Sequence, residues 1–200
     1  MTKFEYRQND LFRRGQQIRL NACVGPNGGP YDFADYAHGY FLAARELVDS
    51  LQRKSNYVDI VVYPLCYAYR HAVELGLKYL ARELPKLYGE KNDIRLTHNL
   101  SDNWQQVRPY LSRAGKYLDA DNSAISYVDK VLADFLEFDP SGEVFRFPEN
   151  KKGELHLQDA RIINVEVLGA HMNKLADIFE FWFDKSKDLM EYRHELQLDT

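Results

Sequence analysis

The stretch YRHAVELGLKYLAREL, residues 69–84, decides the fold because it combines a wide apolar face with a line of charged side chains. Apolar residues in and just before it recur at alternating steps of four and three, as on one face of an α-helix. These residues are Val61, Leu65, Ala68, Ala72, Leu75 and Tyr79. The pattern predicts a buried helix over residues 58–88, with Pro64 in its first turns.

Working outward from this helix, the same periodicity predicts four more. They span residues 31–54, a segment that begins near Asn99 or Ser101, residues 123–138 and a long segment from about 159 to 193. Short connections favour antiparallel neighbours. The fold class expected is mainly α, an up-and-down helical bundle of about five helices.

One segment departs from the helical pattern. VFRF and ELHLQ alternate polar and apolar residues around the turn sequence PENKKG, which predicts a small β-hairpin insertion at about residues 142–158. Residues 1–30 are irregular and end in the loop-forming stretch CVGPNGGP. We therefore expect an irregular N-terminal segment, 1–30, and a single helical domain, 31–195.

Composition excludes several classes of protein. The chain has 200 residues, 45% of them hydrophobic, and a net charge of −4, so there is no global basic footprint for nucleic acid. Its two cysteines are far apart, and its six histidines lack HExxH spacing, so neither a metal site nor a cofactor is expected. The N-terminal residues lack the apolar core of a signal peptide, and no apolar run is long enough to span a bilayer. A cytoplasmic protein is expected.

The charged residues of the central helix lie four apart, at Arg70, Glu74 and Lys78. They share one face, about opposite the apolar seam, which is typical of a solvent-exposed ladder of ion pairs. The alternative is a polar patch that meets a partner chain or a nucleotide phosphate. Tyr67 extends the same face, and an aromatic ring beside basic groups suits stacking on a base.

Three further residues are candidates for function. His71 flanks the charged face and is expected to be partly buried and hydrogen bonded. His98, in THNLSDNW, precedes a helix, where it either fixes the helix entry or acts as a general base or phosphate contact. Arg146, in FRFP, is either exposed or reaches back to a helix carboxylate such as Glu74; we favour the second arrangement because an isolated hairpin needs tethering.

YRHAVELGLKYL followed by THNLSDNW resembles the helix and H-[DN]-L pattern of HEPN (higher eukaryote and prokaryote nucleotide-binding) domains. FDPSGEVFRFPENKKG is similar to a segment of some prokaryotic members, and the resemblance covers about residues 60–185. It implies a helical bundle that dimerises. Some members are ribonucleases or toxins, and others are non-catalytic companions of nucleotidyltransferases. Glu74, Lys78, His98 and Leu100 match the shared elements as markers of the fold.

Catalytic HEPN proteins carry an arginine and, after four to six intervening residues, a histidine, and this sequence has no such pair. The resemblance therefore implies a non-catalytic protein that acts through an oligomer or partner interface, in a phage-defence, toxin–antitoxin or mobile-element setting. The partners expected are a second copy of the chain, a nucleotidyltransferase-type protein, RNA or a nucleotide.

Two rival functions remain open. The first is a divergent, metal-independent ribonuclease whose composite site contains Arg70, His71 and His98, or Arg161 and His171. The second is a nucleotide-binding module that uses Tyr67, Arg70 and Lys78.

Overall fold

The computed structural model describes residues 11–90, 95–118, 120–159 and 162–198. The chain divides into two compact units, residues 1–31 and 32–200. The described part of the first unit, residues 11–31, contains a short 3-10 helix, Ile18–Leu20. Asn21 closes a loop there, since its side chain accepts a hydrogen bond from the Gly15 amide and donates one to the Gly15 carbonyl.

The second unit is a helical bundle. Its described residues form five α-helices: α1 (Phe33–Arg53), α2 (Val58–Leu87), α3 (Leu100–Ala114), α4 (Asn122–Phe138) and α5 (Val165–Leu198). The prediction of a mainly α protein with five helices is confirmed. None of the helices in the described ranges is both long enough and apolar enough to cross a membrane.

Local capping explains where the helices begin. Asp32 accepts hydrogen bonds from the amides of Ala34 and Asp35 and, with the Asp35 side chain, forms a capping box for α1. The side chains of Asn99 and Asp121 accept backbone amides in the first turns of α3 and α4. The last helix begins later than its predicted start near residue 159, because the Asn164 side chain accepts the amides of Glu166 and Val167 and fixes the first turn there.

The central helix α2 packs against α1, α3 and α5 and contributes more residues to the buried apolar core than any other described helix. At Gly76 the α5 helix comes very close: a Cβ at this position would lie 2.5 Å from a ring carbon of Phe179 and 3.1 Å from Phe183. A glycine inside a helix weakens it by roughly 0.5–1 kcal/mol relative to alanine. Here that cost permits two aromatic rings of α5 to pack directly on the α2 backbone.

The predicted β-hairpin at residues 142–158 is wrong. In the described chain this segment contains no strand and only an isolated antiparallel bridge between Glu149 and Leu155. The VFRF residues form a turn instead, because the amides of Arg146 and Phe147 both donate to the carbonyl oxygen of Glu143 at 3.0 Å. Pro148 has no N–H to donate, so it could not take part in the hydrogen-bond ladder of a β-hairpin at this point.

Candidate functional site

Three charged side chains meet beneath the α4–α5 connection, and all three are buried. Arg70 is 3% exposed, Glu74 3% and Asp139 0%. Arg70 Nη1 donates to Glu74 Oε2 at 3.2 Å, and Nη2 donates to the backbone carbonyl of His98 at 3.2 Å. Arg70 Nε lies 3.2 Å from Asp139 Oδ2 as a charge contact outside hydrogen-bond alignment. We call Arg70, Glu74 and Asp139 the buried ion cluster.

The interpretation of Arg70, Glu74 and Lys78 as a solvent-exposed ladder is therefore wrong for its first two members. Residues that follow α4 cover this face of α2. Asp139 Oδ1 accepts the amides of Gly142 at 2.7 Å and Val144 at 3.2 Å, which folds the chain over Arg70. Burial turns a marginal surface ladder into an arrangement in which each charge depends on its partner.

Gly142 makes this cover fit. Its φ of +82° lies in the left-handed region, which favours glycine. A Cβ there would lie 2.7 Å from both Cζ and Nη1 of Arg70. The guanidinium is thus packed directly against the Gly142 backbone.

Glu74 joins the buried ion cluster to the surface. Its Oε1 accepts a hydrogen bond from Lys78 Nζ at 2.7 Å and lies 2.9 Å from Nδ1 of His98. Burial raises the pKa of the Glu74 carboxyl, but the hydrogen bonds and charges of Lys78 and His98 outweigh burial and leave that pKa below its ordinary value. Glu74 is therefore held as a carboxylate.

The backbone around His98 is fixed from both sides. Asn103, fully buried on α3, accepts the Thr97 amide at 3.1 Å and donates to the Thr97 carbonyl at 2.9 Å. Arg70 holds the carbonyl of His98 itself. The imidazole nevertheless has a side-chain exposure of 86%. With Nδ1 directed at Glu74, Nε2 is the ring nitrogen left to meet a solute.

His71 lies on the other side of Glu74 among aromatic rings. It stacks on Tyr67 with ring centroids 5.7 Å apart and meets the ring of Tyr40 edge to face at 4.6 Å. Burial lowers the pKa of His71; Glu74 opposes this shift, and Lys78, Arg70 and His98 add to it. His71 is thus a packed, neutral ring, as its expected partial burial suggests.

Arg146 does not reach Glu74 as favoured from the sequence. Its guanidinium lies 5.7 Å from the ring centroid of Tyr67 and 5.1 Å from that of Phe147. The link between this segment and α2 is made instead by Asp139, which contacts Arg70. Arg146 is exposed and adds a cationic group beside the aromatic side chains at this end of α2.

The residues expected for a composite ribonuclease site are only partly brought together. His98, His71 and Arg70 surround Glu74, but His171 lies on α5, where the hydroxyl of Tyr127 on α4 is 2.9 Å from its Nδ1. Arg161 lies outside the described residues. Among the residues expected to bind a nucleotide, Arg70 is buried and the side chain of Lys78 is 12% exposed.

Sequence reasoning missed two members of the site, Asp139 and Asn103. Asp139 opens the motif DPSG, where an aspartate that accepts nearby backbone amides is a common way to begin a turn. Asn103 lies in the first turn of α3, and no local signal marks it as the residue that holds Thr97. No group of three or more histidine, cysteine, aspartate or glutamate side chains in the described ranges is arranged to hold a metal ion.

The arrangement supplies a carboxylate that orients an exposed imidazole, but its arginine is enclosed. Comparison with known proteins found no matching family model, no similar curated protein and no similar solved structure.

Proposed function

We propose that this chain is a non-catalytic, HEPN-like helical protein that works through an interface with a second copy of itself, in a phage-defence, toxin–antitoxin or mobile-element setting. The observation that carries the proposal is the enclosure of Arg70 by Glu74, Asp139 and the carbonyl of His98. An arginine that stabilises a reacting phosphate must present its N–H groups to that phosphate. Those of Arg70 are directed at groups within the chain, so the site acts to hold the fold.

The surface best suited to a second copy is an apolar groove between α4 and α5. Its cavity of about 330 Å³ is lined by Val131, Phe135, Phe138, Val167 and Met172, with Cys66 of α2 in its wall. Phe138 and Val167 are exposed, and Ile162 beside them is 90% exposed. Clustered exposed apolar side chains mark interaction surfaces. The resemblance to HEPN domains, which dimerise, supports a second copy as the occupant.

Light scattering after size-exclusion chromatography tests the interface. We expect wild-type protein to be a dimer at micromolar concentration. Phe138→Asp should be a monomer, because it places a charge in the apolar groove. Tyr36→Asp replaces another exposed aromatic residue, on α1, and should remain a dimer. A monomeric wild type over a broad concentration range contradicts the proposed interface.

The divergent ribonuclease remains a second candidate because of the pair formed by Glu74 and His98. A carboxylate on Nδ1 fixes the tautomer and orientation of an imidazole, so that Nε2 serves as a general base. Incubation of the protein with labelled RNA separates the two functions. The proposal expects no turnover, whereas multiple-turnover cleavage that is lost in His98→Ala establishes the ribonuclease.

A further inference from the structure

A second cleft lies on the other side of Phe145, between the first turns of α2 and the segment after Asp139. It has a volume of about 390 Å³, which falls within the range of small-molecule sites. Its walls are formed by Tyr63 of α2 and by residues of the connecting segment. The latter include Arg146, Phe147, Leu155, His156 and Leu157.

The cleft combines flat apolar surface with a cation that has no carboxylate partner among the described residues. Tyr63 and Phe147 are both large aromatic residues with about half of their surface exposed. Arg146 lies over the ring of Phe147, and no described carboxylate comes within ion-pair distance of its guanidinium. An arginine of this kind binds anions through its planar fork of N–H groups and packs its face on aromatic rings.

Two further features separate this cleft from an ordinary surface depression. Nε2 of His156 is buried and makes no hydrogen bond to any described residue. Buried polar atoms are usually hydrogen bonded, so this nitrogen is an exception that calls for a partner. The neighbouring Leu157 has a φ of +57°, a conformation that is uncommon outside glycine and that often accompanies binding sites.

We propose that this cleft binds a small planar aromatic molecule that carries one anionic group. Arg146 contacts the anion, and Tyr63 and Phe147 contact the ring. The volume suits a compact aromatic ligand rather than a helix or a polymer. This inference does not depend on the proposed dimer, whose groove lies between α4 and α5.

Titration of the whole 200-residue chain with 2-naphthoate tests this inference, with isothermal calorimetry and amide chemical shifts as the measurements. We expect saturable binding with shifts centred on residues 144–157 and on Tyr63. The uncharged analogue 2-naphthalenemethanol and inorganic phosphate should each bind at least tenfold more weakly. The first lacks the anionic group, and the second lacks the aromatic ring.

Variants at one position separate charge from packing. Arg146→Gln should weaken binding of 2-naphthoate at least tenfold, and Arg146→Lys should restore part of it by returning the charge. Arg53→Gln, at another exposed arginine at the end of α1, is the matched control and should bind as wild type does. Thermal unfolding of each variant checks that the fold is intact.

The inference is overturned by any of three results. The first is no saturation by 2-naphthoate at millimolar concentration. The second is equal binding of 2-naphthoate and its uncharged analogue, or of wild type and Arg146→Gln. The third is binding that is abolished by Phe138→Ala, which places the ligand in the groove between α4 and α5 instead.

Discussion

Two arginines of the described chain, Arg70 and Arg108, contact carboxylates at similar distances but in opposite surroundings. In the buried ion cluster, Arg70 lies 3.2 Å from both Glu74 and Asp139, and its side chain is 4% exposed. On the surface, Arg108 of α3 donates to both oxygens of Asp129 of α4 at 3.0–3.3 Å, and the two side chains are 48% and 37% exposed. The separation of the atoms thus says little about what either contact does.

Solvent makes the difference. Around Arg108, water screens the charges and replaces either partner if the other is removed, so the contact contributes little to stability. Around Arg70, both carboxylates are shielded from water, and removal of one partner leaves a buried charge without compensation. The comparison teaches that the stabilising contribution of an i,i+4 ladder on a helix depends on whether another part of the chain covers it.

The largest effect should follow removal of the shared cation. Arg70→Ala leaves Glu74 and Asp139 buried without their arginine, and we expect it to lower the free energy of unfolding by about 3–5 kcal/mol. Urea denaturation followed by circular dichroism measures this. Because Arg70 and Asp139 are in contact, the double variant R70A/D139A should lose less stability than the sum of the two single variants. Additive losses would contradict the contact.

A smaller loss of stability should follow Gly142→Ala, and Gly153→Ala provides its matched control. Gly142 and Gly153 have φ values of +82° and +80°, but a Cβ at Gly142 meets Arg70, whereas a Cβ at Gly153 meets nothing within 4 Å. Alanine in this backbone region costs about 1–3 kcal/mol. Urea denaturation should show a larger loss for Gly142→Ala than for Gly153→Ala, and the difference measures the packing on the guanidinium. Equal losses would show that Arg70 moves aside freely.

The next effect is on the pH dependence of stability, and it should come from His71. Burial, with Lys78, Arg70 and His98, lowers the pKa of His71 from 6.5 against the opposite influence of Glu74. Its unfolded form then binds a proton at higher pH than its folded form, so stability is complete above pH 6.5 and falls as the pH drops below it. Urea midpoints between pH 8 and pH 5 should fall for wild type and fall less for His71→Phe. Parallel curves would contradict this assignment.

At lower pH the carboxylates should add to the same trend. The pKa of Glu74 is below its ordinary value of 4.5, so its stabilising contribution is present above pH 4.5 and is lost as the pH falls through the folded-state pKa. Hydrogen bonds from Arg108, together with Trp104, also lower the pKa of Asp129 against the effect of burial. The acid limb therefore contains contributions from both sites, and the effect of His71 is measured by the difference between wild type and His71→Phe near neutrality.

The smallest effect should come from the surface contact. Arg108→Ala removes the partner of Asp129, but that carboxylate keeps water and the Trp104 indole N–H, which donates to Oδ1 at 2.7 Å. We expect a urea midpoint indistinguishable from that of wild type at physiological salt, because the pair is exposed and screened. A loss comparable to that of Arg70→Ala would remove the distinction between the two sites.

The helices were predictable because their information is local. Steps of three and four gave α2 to within a residue at each end, and Asn99 was one of two cap candidates before the next apolar run. The helical period also placed Arg70, Glu74 and Lys78 on one face. It did not reveal what covers that face, since Asp139 lies 69 positions beyond Arg70 and no periodic pattern joins them.

The hairpin illustrates the opposite error. VFRF alternates as a strand does, but alternation describes side chains and does not say where the backbone N–H groups donate. Asp139 and Glu143 accept the amides that a ladder would have used. His98 was predictable as a residue at a helix entry from its local sequence, whereas its hydrogen bond to Glu74 joins residues 24 positions apart.

The contact at Gly76 sets a requirement for recognising distant relatives of this chain. Because ring atoms of Phe179 and Phe183 occupy the space of a Cβ, any homologue with the same distance between α2 and α5 must retain glycine there or replace the aromatic residues of α5. Positions 76, 179 and 183 should therefore vary together in an alignment. Joint variation at these three positions would be a more selective search criterion than the short charged motifs on the opposite face of α2.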